Sequence, residues 1–250
     1  MNNTLSKAIM MLELLSENPN ISSAEISEKM NIPRSSTHLI LKTLHHYQLV
    51  KRDNLTKKFT LGIKLIELGN LAQLELDLCR IASPYLKGLN ELTNETIHLG
   101  IISKDAVMYV DCIESQQRLR THSVIGVQAP LHCTGVGKAM MAFLPEQEID
   151  RIINKKGLQK KTAQTITTRE LMLKELASIR HRGYSIDNME HEENIVCVAT
   201  PVRNSNGEAF ASISISGPAF RLPEERLNGE LAETIKNTAK EISAKMGYRG

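Results

Sequence analysis

Ser22-Ser23-Ala24-Glu25-Ile26-Ser27-Glu28-Lys29-Met30-Asn31-Ile32-Pro33-Arg34-Ser35-Ser36-Thr37-His38-Leu39-Ile40-Leu41-Lys42-Thr43-Leu44-His45 is the stretch on which the reading of the N-terminal region turns. Ser22 and Glu25 have capping-box spacing, which predicts the start of a helix with Ile26 and Met30 on its buried side and Asn31 at its end. Pro33 suits the first turn of a following helix, because its fixed φ fits there and its missing N–H would have no intrahelical partner. On that helix Thr37, Ile40 and Leu44 share one face, while Arg34, His38, Lys42 and His45 fall on the opposite side at steps of three or four. The pattern is helix, short turn, helix, with an apolar back and a donor-rich front.

Upstream, Leu5, Ala8, Ile9, Leu12 and Leu15 recur at helical spacing and predict a first helix that stops near Asn18-Pro19. Downstream, Leu49-Val50-Lys51-Arg52 and Lys57-Lys58-Phe59-Thr60-Leu61 read as two short strands joined by a turn at Asp53-Asn54, a basic hairpin or wing. Charge follows the same division. Residues 1 to 62 hold eight Lys/Arg and five Asp/Glu, whereas residues 63 to 250 hold twenty-three of each. Within the first quarter, residues 1 to 32 are net −2 and residues 33 to 62 net +5, so one edge of a small domain is electropositive, as a surface facing phosphates must be. A basic edge alone is also what a solvated face looks like. Joined to the helix-turn-helix spacing and the hairpin, it points to duplex DNA. Arg34, Ser35, Ser36 and His38 are positioned to read base edges in the major groove, with Lys42 and His45 further along the same face. Lys51, Arg52, Lys57 and Lys58 of the wing supply phosphate or minor-groove contacts.

At 250 residues the chain can hold one small and one medium domain, each with its own core. Hydrophobic residues make up 41% and charged residues 24%, and no apolar run is long enough to cross a bilayer, so a soluble protein is expected. Met1 to Lys7 lacks the basic-then-apolar pattern of a secretory signal, and Cys79, Cys112, Cys133 and Cys197 form no CxxC pair, which fits reduced thiols in a cytoplasm. No motif calls for a cofactor.

After the wing domain, 1–62, residues 63–78 read as a linker helix rich in Leu and Ile, too apolar to stand alone in water; a second copy of the chain would cover it. A two-fold dimer would also set two recognition helices on two half-sites. From Thr96 onward, Ile97 to Ile102, Val107 to Ile113, Val196 to Val202 and Ala209 to Ile215 read as strands, with a turn at Asn206-Gly207. Thr167 and Glu170 have capping-box spacing for a helix ending near Gly183, and a last helix is predicted from about Pro223 to Lys245. Residues 79–250 are therefore a mixed α/β domain, and the chain as a whole is α+β.

Pro130-Leu131-His132-Cys133-Thr134-Gly135-Val136-Gly137-Lys138-Ala139 resembles the central loop of the IclR family of bacterial transcription regulators. Arg182-Gly183-Tyr184-Ser185-Ile186-Asp187 with Cys197-Val198-Ala199-Thr200-Pro201-Val202 resembles its second signature, and Ser212-Ile213-Ser214-Ile215-Ser216-Gly217-Pro218 completes the set. The resemblance runs from about Ser6 to Gly247 in the family's order and spacing. One departure is Asn194, where many members carry Gly. Membership implies a winged helix-turn-helix followed by a GAF-like domain with a curved antiparallel sheet. It also implies homodimers or dimers of dimers on operator DNA, repression as the commoner mode, and effectors that are small carboxylates such as 2-oxo acids, sugar acids and aromatic acids. Asp187, Cys197, Ser214 and Ser216 match the family's pocket positions, with Gly135 and Val136 in the loop beside them and Ile195 and Cys197 as walls. The chemistry of the residues agrees. Backbone N–H groups in the Gly135 loop suit a carboxylate, hydroxyls two apart on one strand share a face, and Asp187 can accept from ligand hydroxyls. Glu95-Thr96-Ile97-His98-Leu99-Gly100 and Ile242-Ser243-Ala244-Lys245-Met246-Gly247-Tyr248 look most like the branch that answers 2-keto-3-deoxygluconate.

Two other readings compete. An enzyme could use His132, Cys133 and Asp187 as base, nucleophile and orienter, although sequence neighbours on an extended strand point to opposite faces; neither GxSxG nor a phosphate-binding loop is present. A metal-sensing regulator could draw on His132, Cys133, Cys197 and Asp187, which are zinc-ligand types without diagnostic spacing.

Overall fold

The computed structural model describes residues 3–75 and 77–250. The chain divides into two compact units, Met1–Glu75 and Leu76–Gly250. The first unit contains α1 (Asn3–Glu17), α2 (Ser23–Met30), α3 (Arg34–His46), β1 (Val50–Arg52), β2 (Phe59–Leu61) and α4 (Lys64–Glu75). Both halves of the predicted capping box form at α2: the Glu25 N–H donates to Ser22 Oγ at 3.3 Å, and the Ser22 N–H donates to Glu25 Oε2 at 2.9 Å. Asn31 ends the helix in the left-handed region at φ 51°, a conformation Asn tolerates better than most residues. Pro33 lies at the N-cap of α3, one position ahead of the first turn expected for it.

α1 buries a different stripe from the one predicted. Leu5 and Ile9 are exposed, while Met11 and Leu15 are fully buried and Ala8 and Leu12 pack beside them. Residues 8, 11, 12 and 15 keep the 3.6-residue period, rotated away from Leu5 and Ile9. With Ile26, Ile40, Leu41, Leu44, Val50 and Phe59 they make the core of this unit. In the wing, Val50 pairs with Leu61 and Arg52 with Phe59. A further antiparallel bridge, from Ile21 to Phe59, ties the chain before α2 to the hairpin. The linker expected over 63–78 is represented by α4 and, from Asp77, by a separate helix; Leu78 is buried in the core of the second unit. Leu76 lies outside the described residues, as do Met1 and Asn2.

The second unit begins with α5 (Asp77–Thr93) and the strands β3 (Thr96–Ser103), β4 (Ala106–Ile113) and β5 (Gln128–Ala129). α6 (Gly135–Met141), α7 (Glu146–Lys156) and α8 (Arg169–Arg182) follow. The strands β6 (Ser185–Asn188), β7 (Ile195–Arg203) and β8 (Ala209–Pro218), a short turn α9 (Glu224–Arg226), a π-helical turn (Leu227–Leu231) and α10 (Ala232–Lys245) complete it. The six strands form one curved antiparallel sheet in the order β5-β4-β3-β8-β7-β6. Alternation sorts the central strands between two layers. Ile97, Leu99, Val196, Val198, Ala211, Ile213 and Ile215 pack against α5 and α10, whereas Val107 and Ala199 turn to the other face and join α6, α7 and α8.

Three details differ from the sequence reading. β5 and β6, two and four residues long, are too short for a periodic signal. The N-cap of α8 is Thr168, whose side chain accepts from the Leu171 N–H, and not Thr167. The single helix expected from Pro223 is interrupted by the π-helical turn, inside which Gly229 leaves helical φ/ψ. Asn194, the departure noted in the motif, holds φ 64°, a left-handed conformation that Asn tolerates better than most residues.

Ser22→Ala is expected to weaken α2 by about 1 kcal/mol, seen as roughly fivefold faster amide hydrogen exchange at Ile26 and Ser27. Unchanged exchange would show that tertiary packing alone holds the helix.

Candidate functional site

In the first unit, α3 is anchored by Thr37, Ile40, Leu41 and Leu44, all buried, and this fixes which side faces out. Arg34, Ser35, His38 and Lys42 are exposed on that side, Ser36 is half-buried, and Leu39 is exposed among them. His45 is exposed but also braces the fold. Its Nδ1 lies 3.1 Å from the Val50 carbonyl, which can only accept, so Nδ1–H donates and ties α3 to the wing. Lys51, Arg52, Lys57 and Lys58 are exposed along the hairpin, with the Arg52 guanidinium 5.6 Å from the Phe59 ring centroid. Asp53 organises the tip. Its carboxylate accepts from the Leu55 N–H at 2.9 Å, the Thr56 N–H at 2.7 Å and the Thr56 hydroxyl at 2.9 Å, and the Thr56 bonds above all hold its pKa below the ordinary range. The tip also presents Leu55, 93% exposed, which sequence reasoning did not single out.

In the second unit, a cavity of about 240 Å³ lies between the polar face of the sheet and the start of α6. Gly135, Val136, Asp187, Ile195, Cys197, Ser214 and Ser216, the seven effector residues expected from sequence, all line it. They are joined by residues that sequence reasoning missed: His98 and Tyr109 from the sheet, His191 and Glu192 from the loop before β7, and Thr121 to Val124 from the segment after β4. That segment is tethered at both flanks. Arg221 forms two bonds to the buried Glu95, at 2.6 and 2.7 Å, and donates to the Leu119 carbonyl at 2.9 Å, while the Gly126 N–H donates to the Tyr109 carbonyl at 2.9 Å.

Two glycines allow α6 to approach. A Cβ on Gly137 would stand 2.3 Å from the Leu131 carbonyl oxygen, and one on Gly135 would press on the Cβ atoms of Cys197 and Ala199 at 3.3 Å. Thr134 caps the helix, accepting from the Gly137 N–H at 3.1 Å, and the Ser185 hydroxyl holds the Gly135 carbonyl at 2.6 Å. The N–H groups of Gly135 and Val136, in the first turn, fall outside the helix's own ladder. Behind the cavity Lys138 is 1% exposed and paired with Glu190, with Glu175 at 3.7 Å. Asp187 accepts from the Glu190 N–H at 2.7 Å, so it both lines the cavity and holds the turn that carries Lys138's partner. Burial pushes the Asp187 carboxyl up to about 7, against the opposing pull of the Glu190 N–H and the Lys138 charge. Cys197 donates its S–H to Ser216 Oγ at 3.0 Å, and burial raises its thiol well above the ordinary range.

His132 and Cys133 do not line this cavity. His132 Nε2–H donates to the Gln159 carbonyl at 3.0 Å, and burial pushes the Cys133 thiol up to about 12, where it is neither nucleophile nor ready metal ligand. The catalytic trio and the four-ligand metal set are therefore not assembled around one point. Among the described residues, no group of three or more His, Cys, Asp or Glu side chains could hold a metal ion, and no helix is long and apolar enough to cross a membrane.

A recognition helix backed by a basic wing, joined in one chain to a cavity lined by hydroxyls and carboxylates, defines a one-component DNA-binding regulator. The IclR helix-turn-helix domain matches residues 4–54, and the bacterial transcriptional regulator IclR C-terminal domain matches residues 72–244. The chain belongs to the IclR family of transcriptional regulators, whose members are not enzymes, and the resemblance seen in its motifs holds over both units. It is 36% identical to the transcriptional regulator KdgR of Escherichia coli K12 over 97% of this chain and 92% of that protein. It also superposes on the crystal structure of Thermotoga maritima IclR with a TM-score of 0.78 at 35% identity, covering 99% of this chain and 100% of the other. The C-terminal domain of E. coli KdgR matches 69% of this chain and all of its own length, with a TM-score of 0.63 and 38% identity.

Between the ordinary 3.8 and about 7, folded Asp187 holds a proton that the unfolded chain has released. Its contribution to stability is present at low pH and declines as pH rises through that window. Asp187→Asn, which cannot ionise, is expected to remove this decline, so that Tm of the variant gains on wild type as pH increases. A Tm difference that stays flat with pH would contradict the assigned shift.

Proposed function

We propose that this regulator is a repressor that binds duplex operator DNA as a homodimer, or as a dimer of dimers, and is released by a small carboxylate effector of the 2-keto sugar acid class, such as 2-keto-3-deoxygluconate. The observation that carries the effector half is the cavity, lined by Ser214 and Ser216, by Gly135 and Val136 at the start of α6 and by Asp187. Donors suit a carboxylate and a 2-oxo oxygen, and Asp187 suits the hydroxyls of a sugar acid. The likeness to KdgR supports the same class.

On DNA, Arg34, Ser35, Ser36 and His38 read base edges, and Lys42, Lys51, Arg52, Lys57 and Lys58 hold phosphates. His45, its Nδ1 occupied, offers DNA only Nε2. Dimer formation is supported by exposed Ile63, Ile66, Leu68 and Leu71 at α4, an apolar surface that a second copy would cover. Acting on chromosomal DNA places the working protein in the cytoplasm, at the nucleoid when bound. Release requires the effector to bind the off-DNA arrangement more tightly than the bound one, by a few kcal/mol if most of the complex is to dissociate.

Fluorescence anisotropy of labelled DNA from the protein's own upstream region tests both halves. Arg34→Ala is expected to erase the preference for that DNA over unrelated duplex, whereas Lys57→Ala with Lys58→Ala weakens binding to every duplex and lowers the slope of log affinity against log salt by about 2. In the same assay 2-keto-3-deoxygluconate is expected to dissolve the wild-type complex and to fail on Asp187→Ala. Failure of every small acid on an intact complex would remove the effector reading and leave the DNA reading standing.

A further inference from the structure

The effector cavity has an unusual charge balance for a site that takes an acid. Among the described residues that line it there is no Lys or Arg, while Asp187 and Glu192 are both present. A small anion therefore depends on neutral donors. Ser216 already accepts from Cys197, which leaves its own hydroxyl proton for a ligand. His98 lies in the middle of β3, across from Ser214 in register, and alternation turns it to the cavity face while Ile97 and Leu99 enter the core.

The His98 ring is 3% exposed and held from two sides: Nδ1 lies 3.2 Å from Ser214 Oγ, and the Tyr109 ring stands at 5.0 Å between centroids, tilted by 40°. Its second nitrogen, Nε2, is buried and has no hydrogen-bond partner among the described residues. A histidine placed only for packing would have both nitrogens satisfied, because a buried polar atom without a partner is destabilising. His132 and His45, elsewhere in this chain, each give a ring nitrogen to a backbone carbonyl. The orphan nitrogen of His98 belongs to a residue that lines the effector cavity, where a ligand oxygen would complete it.

Resting on the effector site proposed above, we infer that His98 is a specificity-determining residue: Ser214 donates its hydroxyl proton to Nδ1, and Nε2–H donates to an oxygen of the carboxylate–oxo end of a 2-oxo acid. Burial pushes the imidazole down to about 4, so at neutral pH it carries one N–H; with Nδ1 accepting from Ser214, as assigned, that proton is on Nε2. The pair extends the reach of Ser214 and supplies a neutral donor where a cation is lacking. Asp187, by contrast, addresses the hydroxylated part of the ligand. The two ends of the acid are thus read by groups of opposite hydrogen-bonding character.

The test uses the full-length protein with ¹⁵N-labelled histidine rings, and 2-keto-3-deoxygluconate and pyruvate as probes. In wild type the His98 signals, identified by their loss in His98→Gln, are expected to report the Nε2–H tautomer, and saturating 2-keto-3-deoxygluconate moves the Nε2 resonance. By calorimetry, His98→Phe, which keeps a ring and removes both nitrogens, is expected to weaken binding by about tenfold or more, whereas His98→Gln, with an amide N–H near Nε2, loses less. Where pyruvate binds, His98→Phe weakens it to a similar degree, because both probes share the oxo-acid end. Tight binding that survives in His98→Phe within twofold, an unmoved Nε2 resonance, or an unprotonated Nε2 in the complex would overturn the assignment. If His98→Phe does not fold, the wild-type resonance and His98→Gln decide alone. Wild type that binds neither probe removes the effector reading, and this role of His98 with it.

Discussion

The polar floor of the cavity in the second unit depends on period-two alternation in strands β3, β7 and β8. Ala211, Ile213 and Ile215 bury one face of β8 against α5 and α10, and the same geometry sends Ser212, Ser214 and Ser216 to the other face. The core therefore dictates the polar floor of the cavity: a slip by one residue would put serines into the apolar layer and isoleucines under the ligand. β3 and β7 obey the same constraint, which places His98 and Cys197 beside the serines.

α6 converts that floor into a site. Gly137 lets its first turn approach the Leu131 backbone to a distance that any side chain would prevent, and Gly135 lets the same turn lie close against β7, where a Cβ would crowd Cys197 and Ala199. Close approach is held by Thr134 and Ser185, and by Lys138, whose buried ammonium meets Glu190 on the loop that Asp187 organises. A buried ion pair of this kind is strongly destabilising to break from one side, since it leaves an unpaired charge in the interior. Asp187 thus stands between the cavity and a charge pair in the protein's interior. A ligand that engages its carboxylate acts on the same turn that carries Glu190 to Lys138.

The first unit works by a simpler rule. A capped α2, a left-handed Asn31 and Pro33 at the start of α3 set the turn, and the buried Thr37, Ile40, Leu41 and Leu44 fix which face of α3 is free. His45 then ties α3 to the wing, and the Ile21 bridge ties the segment before α2 to the same hairpin.

The sequence alone determined those elements whose signals are local. The helix-turn-helix, the wing and the four long strands rest on caps, turns and periodicities that act over a few residues, and the motifs that identify the family carried the seven cavity residues with them. Local signals failed where two candidates were equivalent or the element was short, as with Thr167 against Thr168, the two-residue β5 and the four-residue β6. Only the tertiary structure decided which distant groups meet: His98 with Ser214, 116 residues apart, Glu95 with Arg221, 126 apart, and Lys138 with Glu190, 52 apart. Those meetings depend on the strand order β5-β4-β3-β8-β7-β6, which sets β3 beside β8 although most of the domain lies between them in the chain. Backbone propensity acts over one turn or one strand, whereas a binding site is made by side chains that long-range packing brings together, and no short-range pattern encodes that proximity.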